Sequence, residues 1–442
     1  MGLFDWLSRG SVESDTFTLP TNIDARIGLV ASPDSTRLAY AVTNNKAYME
    51  VNGKRYAKYD AISGITFSPD GRGFAYAGMH KNRWFVICNG LKYGPFDDIG
   101  KTSPVFSPDS KRIAYTVRRR NEWYVGVDGH EVGGPYEGFS PGGVIFSPDS
   151  KRILYVIKRG ATWVAATDSH EDLPFPTIIQ RSQIFSPDSK KIAYIAIVAG
   201  SNSGNAWAGE AAVVINGEVQ QTWTHHDDRN QKDGISKEIY FSPDSKRMAY
   251  AVKQNDRWSF IVDGSSQMQS DGFLSGWGGN PQWTKFPDYG KTICRNEIFV
   301  FSPDSRHFAY AIKDKGRGLL IYDGNVKGDH PAILNLPPVF SPDSQRIAYG
   351  AEEGIKQLLI VDWKPQTLYD GLPAILPRFS STSDHIAYIV TENNHFLLVV
   401  DSQTWVLDGG PVIGSKIVWD DVRKLHILIA SGQKISVQML EI

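Results

Sequence analysis

Apolar residues along this chain fall into short alternating runs rather than helical stripes. The decapeptide FSPDSKRIAY, Phe106 to Tyr115, shows the unit: an apolar stretch ending in Phe, the turn Ser-Pro-Asp-Ser, then the apolar run Ile-Ala-Tyr. Proline presets one dihedral, and Ser and Asp side chains bond nearby amides, so the tetrapeptide predicts a turn between two strands. A short polar loop follows, then an aromatic-led strand such as RWFVI from Arg83 or EWYVGV from Glu122. These strands end in Asn-Gly or Asp-Gly at Asn52, Asn89, Asp128, Asn216, Asp263 and Asp323, which predicts tight hairpins into a fourth strand such as KYGPF from Lys92.

Eight copies keep Ser-Pro-Asp, with prolines at Pro33, Pro69, Pro108, Pro148, Pro187, Pro243, Pro303 and Pro342, at spacings of 36, 39, 40, 39, 56, 60 and 39. FSSTSDHIAYIV from Phe379 and VWDDVRKLHILI from Val418 follow at the same 39-residue interval, giving ten units. A period near 40 fits four-stranded propeller blades or helical pairs, and the strand-type residues select blades. The repeat resembles that of the TolB-like, WD-repeat-like propellers, across nearly the whole chain. The resemblance implies an all-β propeller of a bacterial type, a family whose members include binding proteins and some enzymes. It also implies that second-to-third-strand loops and blade-to-blade connections share one face, with the Ser-Pro-Asp corners and Asn-Gly hairpins on the other.

Ten blades fit one ring or two rings of five. The last unit stops after a third strand, KISVQML. Pro20 lies twelve residues before Ser32, as Pro95, Pro135 and Pro174 lie before Ser107, Ser147 and Ser186, so Thr16 to Pro20 is in fourth-strand phase. Donating this stretch to the last blade hides two sheet edges at once, which favours a single ring over residues 16–442 with a wide, wet channel.

Composition adds little beyond this. A net charge of -1 gives no global field for nucleic acid, which is not expected as a partner. Two cysteines, Cys88 and Cys294, make no disulfide framework, and no apolar run is long enough to span a membrane. The opening MGLFDWLSRGS has no secretory pattern, so a cytoplasmic protein is expected. Residues 1–15 form an apolar tether in which Leu3, Phe4, Trp6 and Leu7 dock on the body, a partner or a lipid surface.

Three insertions interrupt the repeat, at 199–210, 224–238 and 274–297, all expected on one face beside units five and six. Long loops on a rigid scaffold carry binding, so protein-partner contacts are assigned there: Trp207, then His225, His226, Asp227 and Asp228 of THHDDRN, then Trp277, Trp283 and Tyr289. The His and Asp types bind divalent ions, but adjacent loop residues match no metal spacing, and neither a metal nor another cofactor is expected. Arg118, Arg119 and Arg120, with Lys158, Arg159, Lys253, Arg257, Lys313, Lys315 and Arg317, concentrate positive charge on the same face. Trp84, Trp123, Trp163, Trp207 and Trp258 recur at third-strand starts, and a tyrosine recurs in the second strand of nine of the ten units; repetition assigns both sets to packing. GFSPG at Gly138 to Gly142 imitates a nucleophile elbow without the strand-turn-helix that exposes its serine. The reading is a non-catalytic scaffold or assembly subunit. Its rival is a small-molecule or glycan enzyme with a site at the channel mouth, which requires His and carboxylates to converge there.

Overall fold

The structure is a computed structural model and describes residues 16–20, 23, 28–203, 206–226, 233–273, 299–334, 336–373, 375–412 and 414–442; the side chains at 44, 201–203, 206–208 and 226 are outside this description. The described residues form ten antiparallel sheets and no helix. The third blade is representative, with a first strand in two halves, Asp98–Ile99 and Val105–Phe106, followed by Ile113–Arg119, Glu122–Val127 and His130–Tyr136. Alternation decides which residues face inward, and tyrosines such as Tyr115 enter the seams between blades. One seam core joins Ala114, Val125 and Val127 of the third blade to Ile153, Tyr155 and Ile157 of the fourth.

The ring closes as its strand phase predicts. Thr16–Thr18 is the fourth strand of the tenth blade and pairs with Lys434–Glu441, placing Phe17 opposite Ile435 and Thr18 opposite Lys434. Leu19 adds an amide bond of 2.7 Å to the Gln433 carbonyl. Phe17 and Leu19 then pack on a core shared by Leu38, Tyr40 and Val42 of the first blade and Leu428, Ile435 and Val437 of the tenth.

Two hydrogen-bonded belts join neighbouring blades. In each Ser-Pro-Asp-Ser turn the first serine donates to the Asp carboxylate, as Ser107 does to Asp109 at 2.6 Å, and accepts the Arg112 amide at 2.9 Å. The fourth residue takes a left-handed conformation, φ 64° at Ser110, and glycine stands there in the second blade as Gly71. That serine's hydroxyl accepts the Asp amide of the preceding blade: Asp70 to Ser110, Asp109 to Ser150, Asp149 to Ser189, Asp188 to Ser245, Asp244 to Ser305, Asp304 to Ser344 and Asp343 to Ser383. The tenth blade meets the first in the same way, with the Lys416 amide 2.8 Å from Ser35 Oγ and His426 Nε2 donating to the Asp34 carbonyl at 2.6 Å. The hairpin Asn or Asp caps the second strand on this same face, as Asn52 does for the Leu38 amide. On the opposite face, in six blades, a carboxylate before the first strand accepts an amide from the next second-to-third-strand turn; Asp60 takes Lys81, Asp97 takes Arg120 and Asp370 takes Asn393.

Bonds from the turn serines hold the carboxyls of Asp70, Asp109, Asp149, Asp188, Asp244, Asp304 and Asp343 below their usual value of 3.8. A depressed folded-state pKa stabilises above the unfolded value and loses that stability as pH falls through the folded one. The unfolding midpoint is therefore expected to hold from neutrality to about pH 4 and then fall. Replacing Ser107, Ser147, Ser186 and Ser302 together by Ala should flatten that acid limb in a pH series of melting curves; an unchanged limb would assign it to other groups.

The repeated seam tyrosines find different partners. Tyr155 bonds the Tyr136 hydroxyl at 3.0 Å, Tyr194 donates to Asp172 at 3.1 Å, Tyr250 accepts Trp223 Nε1 at 3.2 Å and Tyr349 meets His330 Nε2 at 3.1 Å. Tyr310 is fully buried, yet its hydroxyl has no partner among the described residues; Ser270 stands where Tyr136, Phe175 and Tyr369 stand in other blades. An unmade buried hydrogen bond costs about 1–3 kcal/mol. Tyr310→Phe is accordingly expected to be neutral or stabilising by up to about 1 kcal/mol, whereas Tyr194→Phe should destabilise by about 1–2 kcal/mol. Denaturant titration of the two variants checks the contrast.

Candidate interaction face on blades five to seven

At the fifth blade the expected loop is a sheet. Its second, third and fourth strands run Ile192–Ser203, Ala206–Ile215 and Glu218–His226, against seven residues for the second strand Ile113–Arg119 of the third blade. Pairing continues from Ala199 opposite Glu210 to Ser203 opposite Ala206, and Glu210, Gly209 and Ala208 pair onward with Thr224, His225 and His226. The segments 199–210 and 224–226, separate in sequence, thus form one three-stranded extension. A Cβ on Gly209 would lie 2.0 Å from the Ala199 carbonyl oxygen, so only glycine allows this approach.

The extension is anchored to the sixth blade. His225 is 4% exposed, and the amide of Ile235, on strand Gly234–Phe241, donates to its Nδ1 at 3.4 Å. His225 is therefore a buried tie rather than part of a solvated loop. Trp207 and His226 lie on the paired strands, their side chains outside the description, and Asp227, Asp228, Trp277, Trp283 and Tyr289 lie outside the described residues, as do Leu3, Phe4, Trp6 and Leu7. The insertion at 274–297 departs from within a first strand, since the flanking Gly272–Phe273 and Phe299–Phe301 both pair with Phe308–Asp314.

The basic residues do not gather as a free cationic patch. Arg118 lies 3.4 Å from Asp98 and over the Trp123 ring, and Arg119 pairs with Glu131 and covers Phe96. Arg159 meets Glu171, Lys253 meets Asp256, Arg257 meets Asp271 and Asp314, and Arg317 meets Asp329. Arg120 contributes its amide to Asp97. Arg118, Arg119 and Arg120 stand on the third blade, two blades from the extension. Four of the repeated tryptophans, Trp84, Trp123, Trp163 and Trp258, each border a seam core.

Ser140 is 4% exposed and sits in the break of a first strand, between Gly138–Phe139 and Ile145–Phe146, where its carbonyl accepts the Gly143 amide. His and carboxylate pairs among the described residues include His307 with Asp323, His385 with Asp401, His426 with Asp420 and His170 with Asp172; they sit in separate blades, His426 on the second strand of the tenth. No group of three or more His, Cys, Asp or Glu suited to a metal occurs among the described residues. No helix there is long and apolar enough to cross a membrane.

These features define a β-propeller of ten four-stranded blades closed in one ring. No family model matches the chain, and no curated protein matches it. Among solved structures, one of a eukaryotic initiation factor is similar at 12% identity over 86% of this chain and 97% of that chain, with a TM-score of 0.45. The Dos1 propeller is similar at 11% identity over 80% of this chain and 96% of its own, with a TM-score of 0.37. TolB from Acinetobacter baumannii is similar at 18% identity over 53% of this chain and 63% of its own, with a TM-score of 0.28.

Proposed function

We propose that the protein is a non-catalytic binding scaffold, or a subunit of a larger assembly, that engages a protein partner through the face carrying the insertions of blades five to seven. The observation that supports this reading is the three-stranded extension of the fifth blade, a surface presented on paired strands and tied to the sixth blade through His225. Binding surfaces built on a rigid scaffold lose little entropy on association. In this reading Trp207, His226, Asp227, Asp228, Trp277, Trp283 and Tyr289 contribute contacts, Arg118, Arg119 and Arg120 form an outlying flank, and Leu3, Phe4, Trp6 and Leu7 tether the ring to its assembly. The repeat is of the TolB-like type, the protein acts in the cytoplasm, and nucleic acid is not its partner.

Affinity purification from native lysate tests this, using the intact protein and a variant whose segments 199–210 and 276–296 are shortened to Gly-Ser turns after circular dichroism shows that both fold. A stoichiometric partner lost only from the variant supports the reading. Equal recovery with both baits, or no partner with either, contradicts the assigned surface. Deleting residues 2–10 should abolish assembly without unfolding the ring.

A further inference from the structure

Five seams of the ring share a bound guanidinium on the Ser-Pro-Asp face. Arg37, Arg112, Arg152, Arg247 and Arg346 each extend from the end of one turn onto the phenylalanine opening the next blade, with ring-centre distances from 5.1 to 5.5 Å. Four of them also donate to two successive carbonyls of the next turn, as Arg346 does to Ser383 and Asp384 at 3.0 and 2.8 Å. The fold therefore repeatedly builds a slot with one aromatic wall and two convergent acceptors, which suits a planar cation.

Between blades seven and eight the arginine is replaced by His307. Its Nδ1 lies 2.6 Å from Asp323 Oδ2 and its ring stacks on Tyr322 at 5.3 Å. No described side chain donates to the Ser344 and Gln345 carbonyls, the acceptors of this seam. Tyr322, where other blades carry Val51, Val127 or Val361, lies 6.0 Å from Phe340 and stands edge-on to Trp363 at 5.3 Å. Trp363 follows Asp362 in the hairpin, at the place of Gly53, Gly90 and Gly129, and holds a left-handed φ of 67° while 42% exposed. A bulky side chain in that conformation is strained, and such strain is kept where a side chain has a task. Asp323, paired with His307, and Asp304, 3.9 Å from the exposed Arg306 guanidinium, both act on the Tyr322 hydroxyl, so two carboxylates border the site.

We infer that this seam is a docking site for an arginine side chain of a partner protein, its guanidinium lying against Tyr322 and Trp363 and donating to the Ser344 and Gln345 carbonyls. The chemistry is the one the ring itself uses in five other seams. Guanidinium rather than ammonium is specified because a planar cation stacks on the aromatic wall while one of its nitrogens reaches both carbonyls, whereas the ammonium of Lys191 at the corresponding place between blades five and six reaches only the Ser245 carbonyl, at 3.2 Å. The seam between blades two and three serves as an internal control. Gly73 also removes the arginine there, but Cys88 and Gly129 occupy the places of Tyr322 and Trp363, so the aromatic wall is missing. The site lies on the opposite face from the insertions and stands or falls independently of the partner surface proposed above.

The test uses the full chain labelled with 5-fluorotryptophan, the Trp363 resonance being assigned with Trp363→Phe. Titration with acetyl-arginine-amide to millimolar concentration is expected to shift that resonance saturably, with acetyl-lysine-amide at least about tenfold weaker. His307→Arg fills the slot from within, so it should abolish the shift and raise the unfolding midpoint. Shortening 199–210 should leave the shift intact. No saturable shift, equal response to both amides, or an undiminished shift in His307→Arg would overturn the assignment.

Discussion

A chain lacking residues 1–20 is expected to lose about 5 kcal/mol of stability and to associate edge to edge, because its tenth blade would be left with an open third strand. Phe17 and Leu19 are half-buried on the core between the first and last blades, and removing packed side chains of this size costs about 2–3 kcal/mol each. The exposed backbone of Lys434–Glu441 then offers unpaired amides and carbonyls to another copy. Denaturant titration reads the first effect and size-exclusion chromatography the second. A synthetic peptide of residues 14–20 added in trans should reverse both. A truncated chain as stable and as monodisperse as the intact one would show that the strand closes nothing.

The second large effect is expected at Glu50. In eight blades the residue opposite the seam tyrosine is apolar or glycine, as in Tyr76 with Ile87, Tyr115 with Gly126 and Tyr349 with Ile360; the first blade pairs Tyr40 with Glu50. Glu50 is 4% exposed, accepting the Tyr40 hydroxyl at 2.7 Å and Arg55 Nε at 2.7 Å. Burial first, and then the bond to Glu50, pushes the Tyr40 hydroxyl well above its usual range. Glu50→Ala strands a fully buried hydroxyl and leaves a cavity, for about 3 kcal/mol in total. The exposed guanidinium of Arg55 adds little, since water replaces its partner. Glu50→Gln keeps an acceptor and should lose about half as much, and Tyr40→Phe with Glu50→Ile should recover most of the loss. Equal losses for Ala and Gln would show that charge, rather than the hydroxyl contact, dominates.

Repetition made much of the architecture legible. Pro20 could be read in phase with Pro95 because a blade imposes a fixed distance between its fourth strand and the next turn, and the pairing of Phe17 with Ile435 follows that phase. The turn serines were legible only as local devices. That Ser110 bonds Asp70 forty residues earlier depends on how blades stack, which no short window contains. The basic residues illustrate the same limit, because acids such as Glu131 and Asp329 approach them across a sheet rather than along the chain. At the fifth blade, Gly, Ser and Asn in AGSNSGNAWAGE carry no alternating apolar pattern; pairing there continues from strands already fixed below it. Trp363 had a visible mark, Asp-Trp where other hairpins read Asp-Gly, but its strain and its contact with Tyr322 appear only in three dimensions.

The arrangement of every surface described above depends on one closed ring, and the seam between the tenth and first blades tests it most directly. In a chain carrying Cys88→Ala and Cys294→Ala, cysteines introduced as Ser35→Cys and Lys416→Cys should form an intramolecular disulfide rapidly under mild oxidation, because the 416 amide lies 2.8 Å from Ser35 Oγ. The pair Ser35→Cys and Asp188→Cys, which two rings of five would bring together because the Asp188 amide is the one that meets the next blade's turn serine, should stay reduced. Disulfide formation in the second pair and none in the first would contradict the single ring.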